Sequence, residues 1–342
     1  MLPCLVLTMG DPAGIGPEII VKALAQKKVH EVSTPVVVGD RICIEDAMQL
    51  THSNLTLRII DQPENAIHDP NVIQLINLNI LNQGEYRLGQ VSAMTGEAAF
   101  QYIIQAISLA MSNRASAVVT GPINKEAIHL AGHHFSGHTE IFAEYTNTPG
   151  YAMMLTCKNL RVVHCTTHIS MRKATELISE KRVLETIVLA YRALRDIGIP
   201  NGRIGVAGFN CHASENGLFG DEEGQAIIPA IQQAQSMGIN AEGPIPPDTV
   251  FVKAIAGQFD IVVAMYHDQG HIPLKLYGFK VDPVTKQFTA VNGINVTIGL
   301  PIIRTSVDHG TAFDIAGKGI ANEDSMIEAI EMAARMSKSR MD

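Results

Sequence analysis

Residues 259–275 read FDIVVAMYHDQGHIPLK: a β-branched run that stops at Ala264, then His267, Asp268, His271 and Lys275 in quick succession. The run is continuous rather than alternating, the pattern of a strand covered on both faces, as in a parallel sheet. Working outward, the same arrangement recurs. Leu5–Thr8, Pro35–Val38, Ala115–Val119, Arg161–Cys165 and Arg203–Ala207 are short apolar runs, each leading into a turn or a polar loop. Helical stretches lie between them, among them PEIIVKALAQ, whose Pro17 suits a first helical position, and INKEAIHLAG. Strands alternating with helices predict βαβ units and an α/β fold. In such folds ligands bind beyond the carboxyl ends of the strands, which is where the groups after Ala264 fall.

The chain has 342 residues, 46% of them hydrophobic, enough for two domains of about 100–200 residues each. A net charge of −8, no long basic run, no Trp and only 5% aromatic residues argue against neutralising a nucleic-acid backbone or stacking on its bases. The opening MLPCLVLTMGDPAGIG lacks the basic segment of a signal peptide. No apolar run approaches the ~18–20 residues of a membrane span. Five cysteines without C-x-x-C spacing are read as reduced thiols of a cytoplasmic protein. The segment 279–291, FKVDPVTKQFTAV, predicts two short strands around Pro-Val-Thr-Lys, a projecting hairpin.

Three histidines share one context: His168 follows RVVHCTT, His212 follows RIGVAGFNC and His267 follows FDIVVAMY. A parallel sheet would bring all three to one rim, where three imidazoles make a divalent-metal site with positions open for substrate. His164, His271 and His309 are weaker candidates, while His30, His52, His68 and His129 are expected to be solvated surface residues. Polar groups fall in similar places elsewhere: His138 and Thr139 in SGHTE, Asp248 in PPDTVF, Lys275 after Ile-Pro-Leu, and Arg304 in an otherwise uncharged stretch. Arg304 in that setting favours a carboxylate or phosphate held bidentately. Lys, Arg, His and a metal together suit a small acidic, phosphorylated substrate.

Two glycine-rich pieces remain. MGDPAGIGPEI is out of register with the dinucleotide fingerprint, and its Gly14 and Gly16 serve either a tight strand-to-helix turn or direct ligand contact. DHGTAFDIAGKGIAN, residues 308–322, can wrap a flat ligand. An exposed Asp314 there would accept hydrogen bonds from ribose hydroxyls and repel a 2′-phosphate, favouring NAD over NADP.

In their order, GDPAGIGPE, GHTE, THIS, YHDQG and GINVTIGLPIIRTSVDHGTA closely resemble the 4-hydroxythreonine-4-phosphate dehydrogenase family of pyridoxal phosphate biosynthesis, over essentially the whole chain. The resemblance implies a two-domain α/β fold like that of isocitrate and isopropylmalate dehydrogenases, with an interdomain active-site cleft. The expected domains are 1–128 plus 292–342, carrying the NAD loop, and 129–291, carrying the metal ligands, the dimer interface and the hairpin. By motif, the family's metal histidines match His168, His212 and His267, shared across a homodimer interface. Its substrate contacts match His138, Thr139, Lys275, Asn295 and Arg304, and its cofactor loop matches His309, Gly310, Thr311, Ala312, Asp314 and Asn322. Three departures stand out. Cys211 replaces a usual Pro, Ser214 a usual Gly, and 279–291 is longer than the family's link.

The activity so implied uses one divalent metal (zinc, magnesium or cobalt) and NAD to oxidise the C3 hydroxyl of 4-hydroxy-L-threonine 4-phosphate. The β-keto acid formed then decarboxylates, with Lys275 or Asp248 as the base. ENGLFGDEE, GHIPLK and AFDIA look like a sister branch acting on 4-phospho-D-threonate or 4-phospho-D-erythronate. A metal-dependent hydrolase could use the same three histidines, and a phosphotransacetylase-like transferase a related architecture with coenzyme A. The hydrolase would not need the His309–Asn322 loop, and the transferase would need no metal.

Overall fold

All six apolar runs are strands. A computed structural model describes residues 2–283, 288–291 and 293–341. The chain divides into two α/β units, Met1–Pro149 with Leu300–Asp342, and Gly150–Gly299. The first unit contains β1 (Cys4–Thr8), β2 (Thr34–Gly39), β3 (Thr56–Ile59), β4 (Val72–Asn77) and β5 (Ala117–Thr120). The second contains β6 (Ala152–Cys157), β7 (Leu160–His164), β8 (Ile204–Ala207), β9 (Ala241–Ile245), β10 (Ile261–Ala264), β11 (Phe279–Val281), β12 (Phe288–Val291) and β13 (Ile294–Ile298). The chain then returns to the first unit with β14 (Arg304–Val307).

In the first unit the order is β3-β4-β2-β1-β5-β14, every neighbour parallel. Val6, Val36, Val37 and Val118 are wholly buried, as strands covered on both faces must be. Helices Ala93–Met111 and Asp324–Met341 pack on this sheet. In the second unit the order is β13-β6-β7-β10-β8-β9. Here the parallel expectation holds only in part. β6 and β7 form an antiparallel hairpin turned at Lys158, φ +52°, and β13 runs antiparallel to β6. The parallel core is β7-β10-β8-β9, with Leu160, Val162, Val262, Ala264 and Leu274 buried together.

The unit boundaries lie later than the sequence suggests at both crossings. Phe135 and Tyr145 pack against Phe100 of helix Ala93–Met111, so the segment after 128 stays with the first unit. β13 is paired to β6, so it stays with the second. β11 and β12 pair antiparallel, Phe279 opposite Val291, as a hairpin requires; its turn, 284–287, lies outside the described residues. No described helix is long and apolar enough to cross a membrane, and the five cysteines are free thiols.

Candidate functional site

The polar residues after the opening run lie on a helix rather than in a loop. β10 ends at Ala264, and Met265 and Tyr266 lead directly into helix His267–Gly278, with Pro273 inside it. Helical spacing therefore puts His267 and His271 on one face, one turn apart. Their rings stack at 3.6 Å and 13°, and His271 Nδ1 donates to the His267 carbonyl at 2.9 Å. His164, the last residue of β7, lies 4.7 Å from His271, ring to ring, and His168 lies 5.7 Å from His267. Four imidazoles thus gather past the ends of two adjacent parallel strands. Burial, with the neighbouring histidines adding to it, pushes His164 down to about 3 and His271 to about 4. Both are neutral at ordinary pH.

His168 and His267 line a cavity of about 380 Å³ with Thr166, Ser170, Tyr266 and Asp268. Asp268 Oδ1 accepts from His267 Nδ1 at 2.6 Å, which leaves Nε2 as the ring's lone-pair nitrogen. His212 follows β8, the strand next to β10, so all three histidines do follow neighbouring strands. Its ring, however, is held elsewhere, with Nδ1 donating to Glu215 Oε1 at 2.8 Å. Among the described residues no three His, Cys, Asp or Glu side chains are arranged around one metal position within a single chain. The expectation that all three converge is met in this chain only by His168 and His267. The donor chemistry nonetheless suits a divalent cation: imidazoles, two of them with Nδ1 tied to a carboxylate.

The other candidates of this unit are spread out. Lys275 is exposed, two turns along the helix from His267, with Nζ 5.4 Å from the Phe279 ring centre. Asp248 is exposed and borders a groove shared with Tyr266, Asp268 and Ile272. Asn295 lies in β13, its Oδ1 buried without a hydrogen-bond partner among the described residues.

The first unit holds Arg304, His138 and Thr139. Arg304 opens β14, is 2% exposed and donates from Nη2 to Thr120 Oγ1 at 2.7 Å. Its guanidinium lies 5.5 Å from the Phe142 ring centre. Burial pushes it down to about 9, with Glu140 acting the other way, so it remains a cation. His138 and Thr139 begin helix His138–Tyr145. Burial, then the charges of Arg304 and Lys125, holds His138 well below the ordinary histidine range, and its Nε2 is buried without a hydrogen-bond partner among the described residues. The sequence reading assigned this pair to the metal-bearing domain; the structure groups it with Arg304. The glycine-rich loop follows β14. His309 Nδ1 donates to the Gly310 carbonyl, and its Nε2 is buried without a partner among the described residues. Thr311 is buried, Ala312 is at φ +43°, and Gly310, Asp314 and Asn322 are exposed.

MGDPAGIG resolves as a structural turn. Ile15 donates to the Thr311 carbonyl at 3.0 Å, and a Cβ on Gly14 would sit 2.9 Å from Thr311. The turn therefore buttresses the 308–322 loop. Sequence reasoning missed Asp11, wholly buried in that turn, and Glu215. It also misjudged His30, which is 5% exposed with Nε2 bonded to the Leu24 carbonyl. His271 was undervalued because its signal, i,i+4 spacing from His267, exists only once the stretch is read as a helix.

Compared with known proteins, residues 31–333 match the family described as pyridoxal phosphate biosynthetic protein PdxA. The chain is 47% identical to the D-threonate 4-phosphate dehydrogenase of Cupriavidus necator, covering 99% of this chain and 98% of that one. It is 45% identical to the protein of the same name from Pectobacterium atrosepticum, covering 98% and 100%. Among solved structures, 4-hydroxythreonine-4-phosphate dehydrogenase from Klebsiella pneumoniae is 45% identical over 98% of both chains, with a TM-score of 0.85.

Proposed function

The chain belongs to the PdxA family, and on that premise we propose that it is a metal- and NAD-dependent dehydrogenase acting on a four-carbon hydroxy acid with a 4-phosphate, D-threonate 4-phosphate first. The observation that carries this reading is near-full-length identity to relatives named for that activity. A second substrate, 4-hydroxy-L-threonine 4-phosphate, is favoured by the name of the Klebsiella structure. The two differ at C2, hydroxyl against amine.

In this reading His168, His212 and His267 hold the cation. The resemblance implies a homodimer that shares these ligands, in keeping with one chain drawing only two of them together. When bound, the cation polarises the substrate hydroxyl and the nicotinamide accepts the hydride. Arg304, His138 and Thr139 hold the phosphate. Arg304 is preorganised for this, a buried guanidinium aimed by Thr120. Lys275 Nζ or the Asp248 carboxylate takes the hydroxyl proton, and Asn295, with its unsatisfied buried oxygen, receives a donor from the substrate. Asp314 and Asn322, exposed on the loop, take the ribose of NAD, and the Asp314 carboxylate disfavours a 2′-phosphate. The β-keto acid then loses its carboxylate as CO2.

The test is NADH absorbance with the two phosphorylated acids side by side. Faster turnover of D-threonate 4-phosphate is expected. Faster turnover of the hydroxythreonine phosphate moves the protein to the second reading, and no NADH with either sinks both.

A further inference from the structure

The backbone departs furthest from ordinary geometry just after β8. His212, Ala213, Ser214, Glu215 and Asn216 have φ of +53°, +54°, +67°, +44° and +61°. A left-handed conformation costs an L-residue about 1–2 kcal/mol, so single visits are usual. Five in succession need something to hold them and something to gain. Ser214 is 1% exposed and its hydroxyl donates to the Gly220 carbonyl. The buried Glu223 accepts the Phe209 and Asn210 amides at 2.8 and 2.7 Å, anchoring the entry to the turn. The gain is at His212, because the turn folds Glu215 back onto its ring. Glu215 Oε1 lies 2.8 Å from Nδ1, and a carboxylate only accepts, so the ring proton stays on Nδ1. The same relation recurs at His267, whose Nδ1 donates to Asp268 at 2.6 Å.

We propose that Glu215 is the positioning residue of His212, and that the left-handed turn exists to bring it there, leaving Nε2 to face a divalent cation. The inference rests on the metal reading above. A carboxylate behind a ligating imidazole orients the ring and raises its basicity, and losing it typically costs about 10–100-fold in metal affinity. The alternative is that the pair only staples a surface turn, for both side chains are more than half exposed in one chain.

The experiment titrates Co2+ into the chelator-stripped, full-length protein. It follows the visible absorption of bound cobalt, takes affinity from competition with a chelator, and records the thermal midpoint of each metal-free variant. Glu215→Ala is expected to weaken binding about 10–100-fold and to shift the cobalt spectrum, with the metal-free midpoint little changed. Glu215→Gln, whose amide oxygen still accepts from Nδ1, keeps most of the affinity. Glu215→Asp, too short to reach, follows the alanine variant and serves if that one does not fold. Wild-type affinity and spectrum in both Ala and Asp variants overturn the proposal, as does a lowered midpoint with affinity intact. His212→Ala separates the two failures: if it binds Co2+ like wild type, the metal assignment of His212 itself is wrong.

Discussion

Asp11 shows how much one buried group can hold. It is 0% exposed, with Oδ1 accepting the Ala13 amide at 2.9 Å and its own amide donating to Pro122 at 2.8 Å. Burial pushes its carboxyl up to about 6, offset only partly by hydrogen bonds from Ala13 and Thr95. An unfolded Asp titrates near 3.9. Between about pH 4 and 6 the folded chain therefore binds the proton that the unfolded chain has released, and stability falls as pH rises through that window. Asp11→Asn, isosteric and uncharged, is expected to remove this slope. Urea unfolding at pH 4.5 and pH 7.5 should show the variant gaining on wild type by about 1–3 kcal/mol at the higher pH. Equal differences at both would mean that Asp11 is already ionised in the fold. Arg304 and Asp314 could be singled out from sequence because their neighbours are uncharged or glycine-rich. Asp11 could not, since nothing local in GDPAG tells a buried carboxylate from a turn-forming one.

At the scale of elements, two segments decide the second unit's chemistry. Helix His267–Gly278 begins two residues after a strand and contains Pro273. A proline and a glycine so close to a strand end argue locally for a loop. The helix forms because Gln269, Gly270, His271 and Leu274 are buried, and packing outweighs propensity. The other segment is the left-handed turn. The family's usual glycine at the position of Ser214 is explained by its φ of +67°, a region glycine enters without cost. Ala213, at φ +54° and with no hydrogen-bonding side chain to lose, gives the cleaner test. Ala213→Gly is expected to raise the urea midpoint, by about 1 kcal/mol in stability. A lower midpoint would mean that its methyl's packing beside Gly208 outweighs the backbone strain.

Across the whole molecule, each unit buries its own apolar core, and His168 and His267 follow strands of the second unit. Leu155, Val162, Val262 and Leu274 are buried without help from any polar site. The cation is accordingly expected to matter for turnover and not for folding. Chelation should abolish NADH formation, restored by added Mg2+, Zn2+ or Co2+, while far-UV circular dichroism at 25 °C stays unchanged. Loss of helical signal on chelation would make the metal structural.

The sequence by itself determined the strands, the α/β class, the unpaired cysteines and the polar residue types set down at the strand ends. These follow from local apolar runs and from chemistry placed at their ends, which a chain carries in any conformation. Only the tertiary structure decided which of those residues meet. It stacked His271 on His267, gathered His138 with Arg304, buried His30 and Asp11, and turned His212 onto Glu215. Burial, ring stacking and a run of left-handed residues are set by what packs against a segment, and that information is not local to any stretch of sequence.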